Sequence, residues 1–503
     1  MKKIVKHKNS LLKWRYLDLL SLVILFIISL FLRSYLISYN LFFGPEQGRD
    51  MLVVRDIVFY HKLTLIGPTT AISGVFHGPL YYYIAAIPFY FNKGNPLSIE
   101  YFFLFLNALT VFLIYILGKE MFNRRVGLIS SIIFTFSFGA VEMARWLSHP
   151  PLIIPLSCLF FICLSRFLKG KNVYLILSAI AYGLSSQTEF TYFMIFSFIS
   201  IIVFILFFNN FKNQKIWYLF LSFLIAVILA LGNFVLFDFR HKFLMFHSLT
   251  GLIGGHSGFY GSFLQSVIHS INNYIILFFH TIIPFHFWVG LLLFILGIVV
   301  VFIASDKNKI GKRLLLIWLL SPFVVFVLLK YYPLVHYFLP SLVGIIVLMS
   351  FLIDKLFIRN KTFGLLGVFV IVCINFYVWF NYLPQNANVY FQTTQPDLKY
   401  SDQTLVIKEI YKEANGKPFS FQAYTIPYWL QEEWQYLFWY VGTTKYGYVP
   451  TVNNQPMLFV IIQRDNGDKR FQMNWLRKTV SKWGKKENVF TYGALTVERL
   501  KTK

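Results

Sequence analysis

A helix needs about 20 mostly apolar residues, and no fewer than about 17, to cross roughly 30 Å of hydrocarbon. This chain of 503 residues repeats such runs along most of its length. With a residue or two of slack at each end they fall near 17–37, 98–117, 125–144, 150–168, 172–187, 190–208, 216–237, 286–304, 313–330, 334–354 and 362–383. Inside a bilayer each backbone polar group must be satisfied within the protein. The expected fold is therefore an all-α polytopic membrane protein of about eleven spans. Two shorter apolar pieces, Leu80 to Phe91 and Tyr274 to Pro284, read as re-entrant or interfacial helices, or take the count to thirteen if both cross.

Composition agrees: 57% of residues are hydrophobic and 13% charged, which excludes an ordinary soluble chain. The formal charge of +25 would point to nucleic acid in a soluble protein. Here the cations gather between apolar runs, at 119–125, 166–171, 212–215, 307–313 and 355–361. That is the pattern of cytoplasmic loops, and it implies no nucleic-acid partner. It places the N-terminus inside, and 38–79, Arg145 to Pro151, Ser185 to Glu189, Asp238 to Asn273, Lys330 to His336 and everything after 384 on the outer side. The basic flank ahead of Leu19 to Tyr35 reads as an uncleaved signal anchor. Cys158, Cys163 and Cys373 each sit in an apolar run and suggest neither a disulfide framework nor a metal site.

Composition changes at Pro384-Gln-Asn-Ala-Asn. Residues 1–383 are expected to form the transmembrane domain, with 38–79 as its first outer loop. Residues 384–503 are expected to form a small extracytoplasmic α/β domain, with a helix over Gln403 to Ala414 and strands over Phe419 to Tyr424 and Met457 to Ile462.

The first outer loop concentrates polar residues, and in a membrane protein such a concentration marks a working surface. Pro45 and Gly48 bracket Glu46 and Gln47, with Arg49 and Asp50 next. A turn there can present a carboxylate beside a guanidinium. The same charges also fit a solvated helix start with ion pairs at i,i+3 and i,i+4. Other outer-side groups point the same way: Glu142, Arg145 and His149 at one span end, Gln187 and Glu189 in the next turn, and Lys330 and His336 around another. Glu142 with Arg145 also fits a structural helix-end pair, and Lys330 a snorkelling anchor.

The motifs Pro45-Glu-Gln-Gly-Arg-Asp50, Leu65-Ile-Gly-Pro68, Phe76-His-Gly-Pro-Leu-Tyr-Tyr-Tyr83 and Leu117-Gly-Lys-Glu-Met-Phe-Asn-Arg-Arg-Val-Gly-Leu128 resemble the C-type glycosyltransferase superfamily. The nearest groups are the protein O-mannosyltransferase-like and lipid A aminoarabinose transferase-like enzymes. The resemblance covers about the first 210 residues and resumes at His336-Tyr-Phe-Leu-Pro340, which brings Tyr337 into the candidate cavity lining. It implies transfer of a sugar from a polyprenyl-phosphate donor to an envelope acceptor at the outer face, by inverting single displacement. Glu46 falls on the family's first catalytic acid and Arg49 on its phosphate-binding arginine. Gln47 replaces the second acid, which leaves Asp50 as a candidate for that role. His77-Gly-Pro stands where the family often has Lys-Pro, so His77, with Lys330, is a candidate phosphate contact. No cofactor is required; a divalent metal is possible but not indicated. The expected partners are the lipid-linked donor, an unidentified acceptor and the bilayer.

Two other classes fit less of the pattern. A transporter or flippase of a lipid-linked sugar predicts paired internal repeats, which the chain does not show. A binding protein with a scaffold membrane part predicts tolerance of change at Glu46 and Arg49.

Overall fold

The computed structural model describes residues 2–253, 262–304, 308–382, 398–426, 430–451, 455–465, 467–480 and 484–501. Among these, seven helices are long and apolar enough to cross a membrane: Tyr16–Asn40, Pro96–Met121, Pro150–Leu168, Ile216–Arg240, Lys309–Leu328, Val335–Arg359 and Lys361–Tyr382. Two bent pairs raise the number to as many as nine. The runs expected at 172–187 and 190–208 fold as helices of 14 and 17 residues, and Leu80–Phe91 as one of 12.

The bends have local causes. Arg124–Phe136 and Phe138–Ala144 meet at 61°. Ser137 between them accepts the Ala140 N–H (3.2 Å) and donates to the Thr281 carbonyl (2.7 Å). Asn375 holds the same junction, accepting from Phe138 N–H (2.8 Å) and donating to Ile282 O (2.7 Å). Tyr274 to Pro284, expected as a separate short piece, is instead the apolar end of a 20-residue helix, Phe263–Ile282. Its N-terminal half alternates polar residues, so the apolar run understates its length. Ser262 and Gln265 close its start as a capping box. Pro284 follows its end, where the helix could not continue, and the chain turns 93° into Phe287–Ile303.

At the C-terminal end a four-stranded sheet runs β1 (Ser420–Tyr424), β2 (Met457–Gln463), β4 (Leu495–Lys501), β3 (Lys485–Tyr492). β1 pairs parallel with β2, and the other pairs are antiparallel. The helix expected from Gln403 spans Tyr400–Ala414, and both expected strands are present within a residue. The break expected at 384–388 lies outside the described residues. This C-terminal unit does not stand apart from the membrane part. Ile407, Trp434, Tyr436 and Leu437 share one apolar cluster with Met51, Val54, Tyr81 and Phe89. Tyr400 N–H bonds Leu41 O (2.9 Å) and Gln403 Nε2 bonds Phe43 O (2.9 Å). Helix Glu432–Val441 lies against helix Pro45–Tyr60 so closely that a Cβ on Gly48 would sit 2.2 Å from the Glu433 backbone nitrogen.

Candidate functional site

The first outer loop begins with helix Pro45–Tyr60. Pro45 at its first position needs no N–H partner there. Gln47 is buried: its Oε1 accepts the Gly44 N–H (3.1 Å) and its Nε2 donates to Leu147 O (3.2 Å). The residue that replaces the family's second acid thus fastens the start of the helix. Glu46, one position earlier, is exposed in the first turn, where the helix dipole favours a negative charge. The ion pairs along this helix join sequence neighbours, Arg49 with Asp50 and Arg55 with Asp56, not the i,i+3 and i,i+4 partners expected.

Asp50 is buried. Its Oδ1 accepts from Arg49 Nε (3.0 Å) and the Tyr82 hydroxyl (3.0 Å) and lies 2.9 Å from Arg49 Nη2. Burial pushes its pKa up to about 6 against the opposing pull of Arg49. Arg49 is 36% exposed. Burial works against its charge, yet the neighbouring Asp50 holds its pKa above the ordinary value.

A second buried carboxylate lies across the site. His77 is set by a tight loop in which Gly67 N–H bonds His77 O (2.8 Å) and His77 N–H bonds Pro68 O (2.9 Å). Gly78 after it packs against Gln187, where a Cβ would meet the backbone at 2.6 Å. Glu189, at the N-cap of helix Phe190–Leu206, reaches His77 Nδ1 through Oε1 (3.3 Å) and His149 Nε2 through Oε2 (3.1 Å). The two imidazoles lie 4.6 Å apart, centre to centre. Burial pushes both pKa values down to about 3 and pushes that of Glu189 up, so the rings are neutral at physiological pH. Phe190 N–H donates to His77 Nδ1 (3.1 Å).

His77 and Glu189 line a cavity of about 250 Å³ together with Thr70, Phe326, Tyr331 and Tyr337. Glu46 and His336 lie within electrostatic range of Glu189, and Arg49 within range of both His77 and His149. The structure therefore brings together Glu46, Arg49, Asp50, His77, His149, Glu189, His336 and Tyr337.

The other candidates point elsewhere. Arg145 is turned inward, donating to Arg33 O and Tyr35 O (2.8 Å each) and Asn40 Oδ1 (2.6 Å). Burial lowers its pKa to about 10. It does not form the expected pair with Glu142, whose Oε2 lies 3.9 Å from His280 Nδ1. Gln187 Nε2 donates to Leu229 O, Ala230 O and Asn233 Oδ1, fastening two helices. Lys330 is exposed, in a left-handed backbone conformation (φ 51°), between the cavity-lining Leu329 and Tyr331. Tyr82 was not singled out from the sequence, although it lies in the quoted Pro-Leu-Tyr-Tyr-Tyr run; only its bond to Asp50 reveals a role.

Residues 76–232 match the family described as dolichyl-phosphate-mannose-protein mannosyltransferase. No curated protein matches the chain. Among solved structures, ArnT from Cupriavidus metallidurans bound to undecaprenyl phosphate aligns at a TM-score of 0.60 with 10% identity, over 97% of this chain and 98% of its own. The Archaeoglobus fulgidus oligosaccharyltransferase tethered with an acceptor peptide aligns at 0.51 with 15% identity, over 84% of this chain and 63% of its own.

Proposed function

This chain is a multi-pass membrane protein with the C-type glycosyltransferase fold, and from that premise we propose that it transfers a sugar from a polyprenyl-phosphate donor to an envelope acceptor. The observation that carries the reading is the first turn of helix Pro45–Tyr60. It sets an exposed carboxylate, Glu46, and a half-open guanidinium, Arg49, within electrostatic range of an apolar-walled cavity.

Each group has a part in one inverting displacement. The acceptor hydroxyl oxygen attacks the anomeric carbon, the bond from that carbon to the phosphate oxygen breaks, and the proton passes to Glu46. Arg49 binds Asp50 through Nε and Nη2, and the exposed third of its side chain is the part that contacts the phosphate. Asp50 is the positioning group that fixes this fork. His77 supplies a further contact to the leaving phosphate, and Lys330 a long-range charge at the rim. Tyr337, Phe326 and Tyr331 form walls suited to an isoprenoid and a sugar face. The match to ArnT, whose solved structure holds undecaprenyl phosphate, supports this donor class.

The reading places the reaction on the outer face, with the N-terminus inside, about eleven crossings and residues 384–503 as the outer domain. A cysteine at Lys62, which is 69% exposed, should react with an impermeant reagent on intact cells, and one at the exposed Lys171 should not. The reverse would overturn the orientation. Activity is tested by incubating purified protein with radiolabelled polyprenyl-phosphate sugars and membrane lipids. Release of polyprenyl phosphate with label moving to a second molecule supports transfer; intact donor moving across a vesicle bilayer would make the protein a flippase.

A further inference from the structure

We propose that His77, His149 and Glu189 form a binding site for a borderline divalent cation, Zn²⁺ above all, with one coordination position open to a phosphate oxygen of the donor. The cation site stands on its own geometry; only its last ligand rests on the transferase reading.

Three separate segments bring these side chains together: the loop before helix Leu80–Phe91, the residue before the Pro150–Leu152 turn, and the N-cap of helix Phe190–Leu206. All three are buried, and their ligand atoms lie within 4.8 Å of one another. Glu189 is 3.3 Å from His77 Nδ1 and 3.1 Å from His149 Nε2. Ligands bonded at 2.0–2.2 Å to a tetrahedral zinc lie about 3.3–3.5 Å apart; each Glu189–imidazole contact is already near that spacing, though through different oxygens, and a metal would draw the three ligand atoms, now within 4.8 Å of one another, closer together.

With Glu189 ionised, the charge count is short by one positive centre. Glu189 is 3% exposed, and among the described residues no Lys or Arg pairs with it. Phe190 N–H donates to His77 Nδ1, which makes that nitrogen an acceptor, yet it faces Glu189 Oε1, also an acceptor. Two buried lone pairs turned on each other are unfavourable unless a cation or proton lies between them. A metal there takes over the Nδ1 lone pair at the expense of the Phe190 hydrogen bond. On the other side Ser148 Oγ lies 3.4 Å from His149 Nδ1, placed to orient that ring from outside the coordination shell.

The donor set names the ion. Two imidazoles and one carboxylate suit zinc and its first-row neighbours better than magnesium or calcium, which favour all-oxygen shells. Three protein ligands with a fourth position open is the arrangement of reactive zinc sites. His77 and Glu189 both line the 250 Å³ cavity, so the open side faces the space assigned to the donor.

The test uses purified, chelator-treated full-length protein with Co²⁺ and Zn²⁺ as probes. One Zn²⁺ per chain should bind, and Co²⁺ should give the visible absorption of a tetrahedral N/O site. Wild-type protein that binds no stoichiometric Zn²⁺ and gives no such bands overturns the proposal, whatever the variants do. Glu189→Gln and His149→Asn should weaken Zn²⁺ binding by more than the roughly 10–100-fold that outer-shell partners contribute, while Glu142→Gln, away from the site, should not. Equal binding in all three variants overturns the assignment to these residues. Adding a short-chain polyprenyl phosphate should shift the Co²⁺ bands; unshifted bands overturn the fourth-ligand claim. Metal binding is read without a sugar donor, so failure of the transferase reading would appear separately.

Discussion

Two buried carboxylates face the outer loop, and they are neutralised in opposite ways. Asp50 has a guanidinium and a phenol hydroxyl on one oxygen, both charge-assisted contacts. Glu189 has two imidazoles and no formal cation among the described residues. Burial raises both pKa values. The first is a closed pair that sets the direction of a side chain. The second is an open site with unspent negative charge. Glu46 lies within electrostatic range of both and is the exposed acid of the three.

The largest effect should come from Glu46. A positioned base contributes about 10²–10⁴ in rate, roughly 3–5.5 kcal/mol of barrier. Glu46→Gln should lower turnover by that factor with donor affinity and expression near normal. Should Asp50→Asn abolish turnover while Glu46→Gln keeps most of it, the closed pair would hold the base and the contrast would collapse.

Next is Arg49→Ala, which leaves Asp50 buried without its cation. With Arg49 one-third exposed, water offsets part of the loss, and the cost should be roughly 1–3 kcal/mol of stability, read as a lower thermal midpoint in detergent. Donor affinity should fall more than acceptor affinity, and Arg49→Lys should recover only part, because the fork is lost. Unchanged donor binding in Arg49→Ala would remove Arg49 from the phosphate site.

Tyr82→Phe sharpens the same comparison, at a cost of about 1.5 kcal/mol for one hydrogen bond to a charged group with Arg49 still in place. It should leave Zn²⁺ binding unchanged. A loss of metal in this variant would mean that the two carboxylates form one network.

The last test is one of pH. Asp50 binds its proton more tightly folded, at about 6, than unfolded, near 3.8. Its contribution favours the folded state below the unfolded value and is lost as pH rises through about 6. The thermal midpoint of wild type relative to Asp50→Asn should therefore fall from pH 4 to pH 6.5 and level off above. A difference independent of pH would show that Asp50 titrates normally.

Much of this was legible in the chain. Run length located most of the apolar helices, because in lipid an apolar stretch has few other conformations. The Pro-Glu-Gln-Gly-Arg element marked the candidate site helix, and short apolar runs in the tail found β1 and β2. The failures share a cause. Glu189 is a single acid before an aromatic run, and its partners lie 40 and more residues away; no local pattern announces that meeting. Arg145 looked like a cavity residue because charge near lipid usually serves function, yet its two terminal nitrogens donate to three oxygens from the first 40 residues. The Phe263–Ile282 helix was cut short because its polar half breaks the apolar count, not the helix.

The contact at Gly48 also bears on how the protein is made. The site helix is among the first segments to leave the ribosome, and the residues that complete its surroundings are among the last: Gln403 is 360 positions beyond the Phe43 carbonyl it binds. Chains fold largely from the N-terminus as they are synthesised. Through most of synthesis, then, the apolar face carrying Met51 and Val54 waits without the helix that will cover it. On the function proposed above, a chain cut short before Tyr400 would hold every residue assigned to catalysis while its site helix lay uncovered.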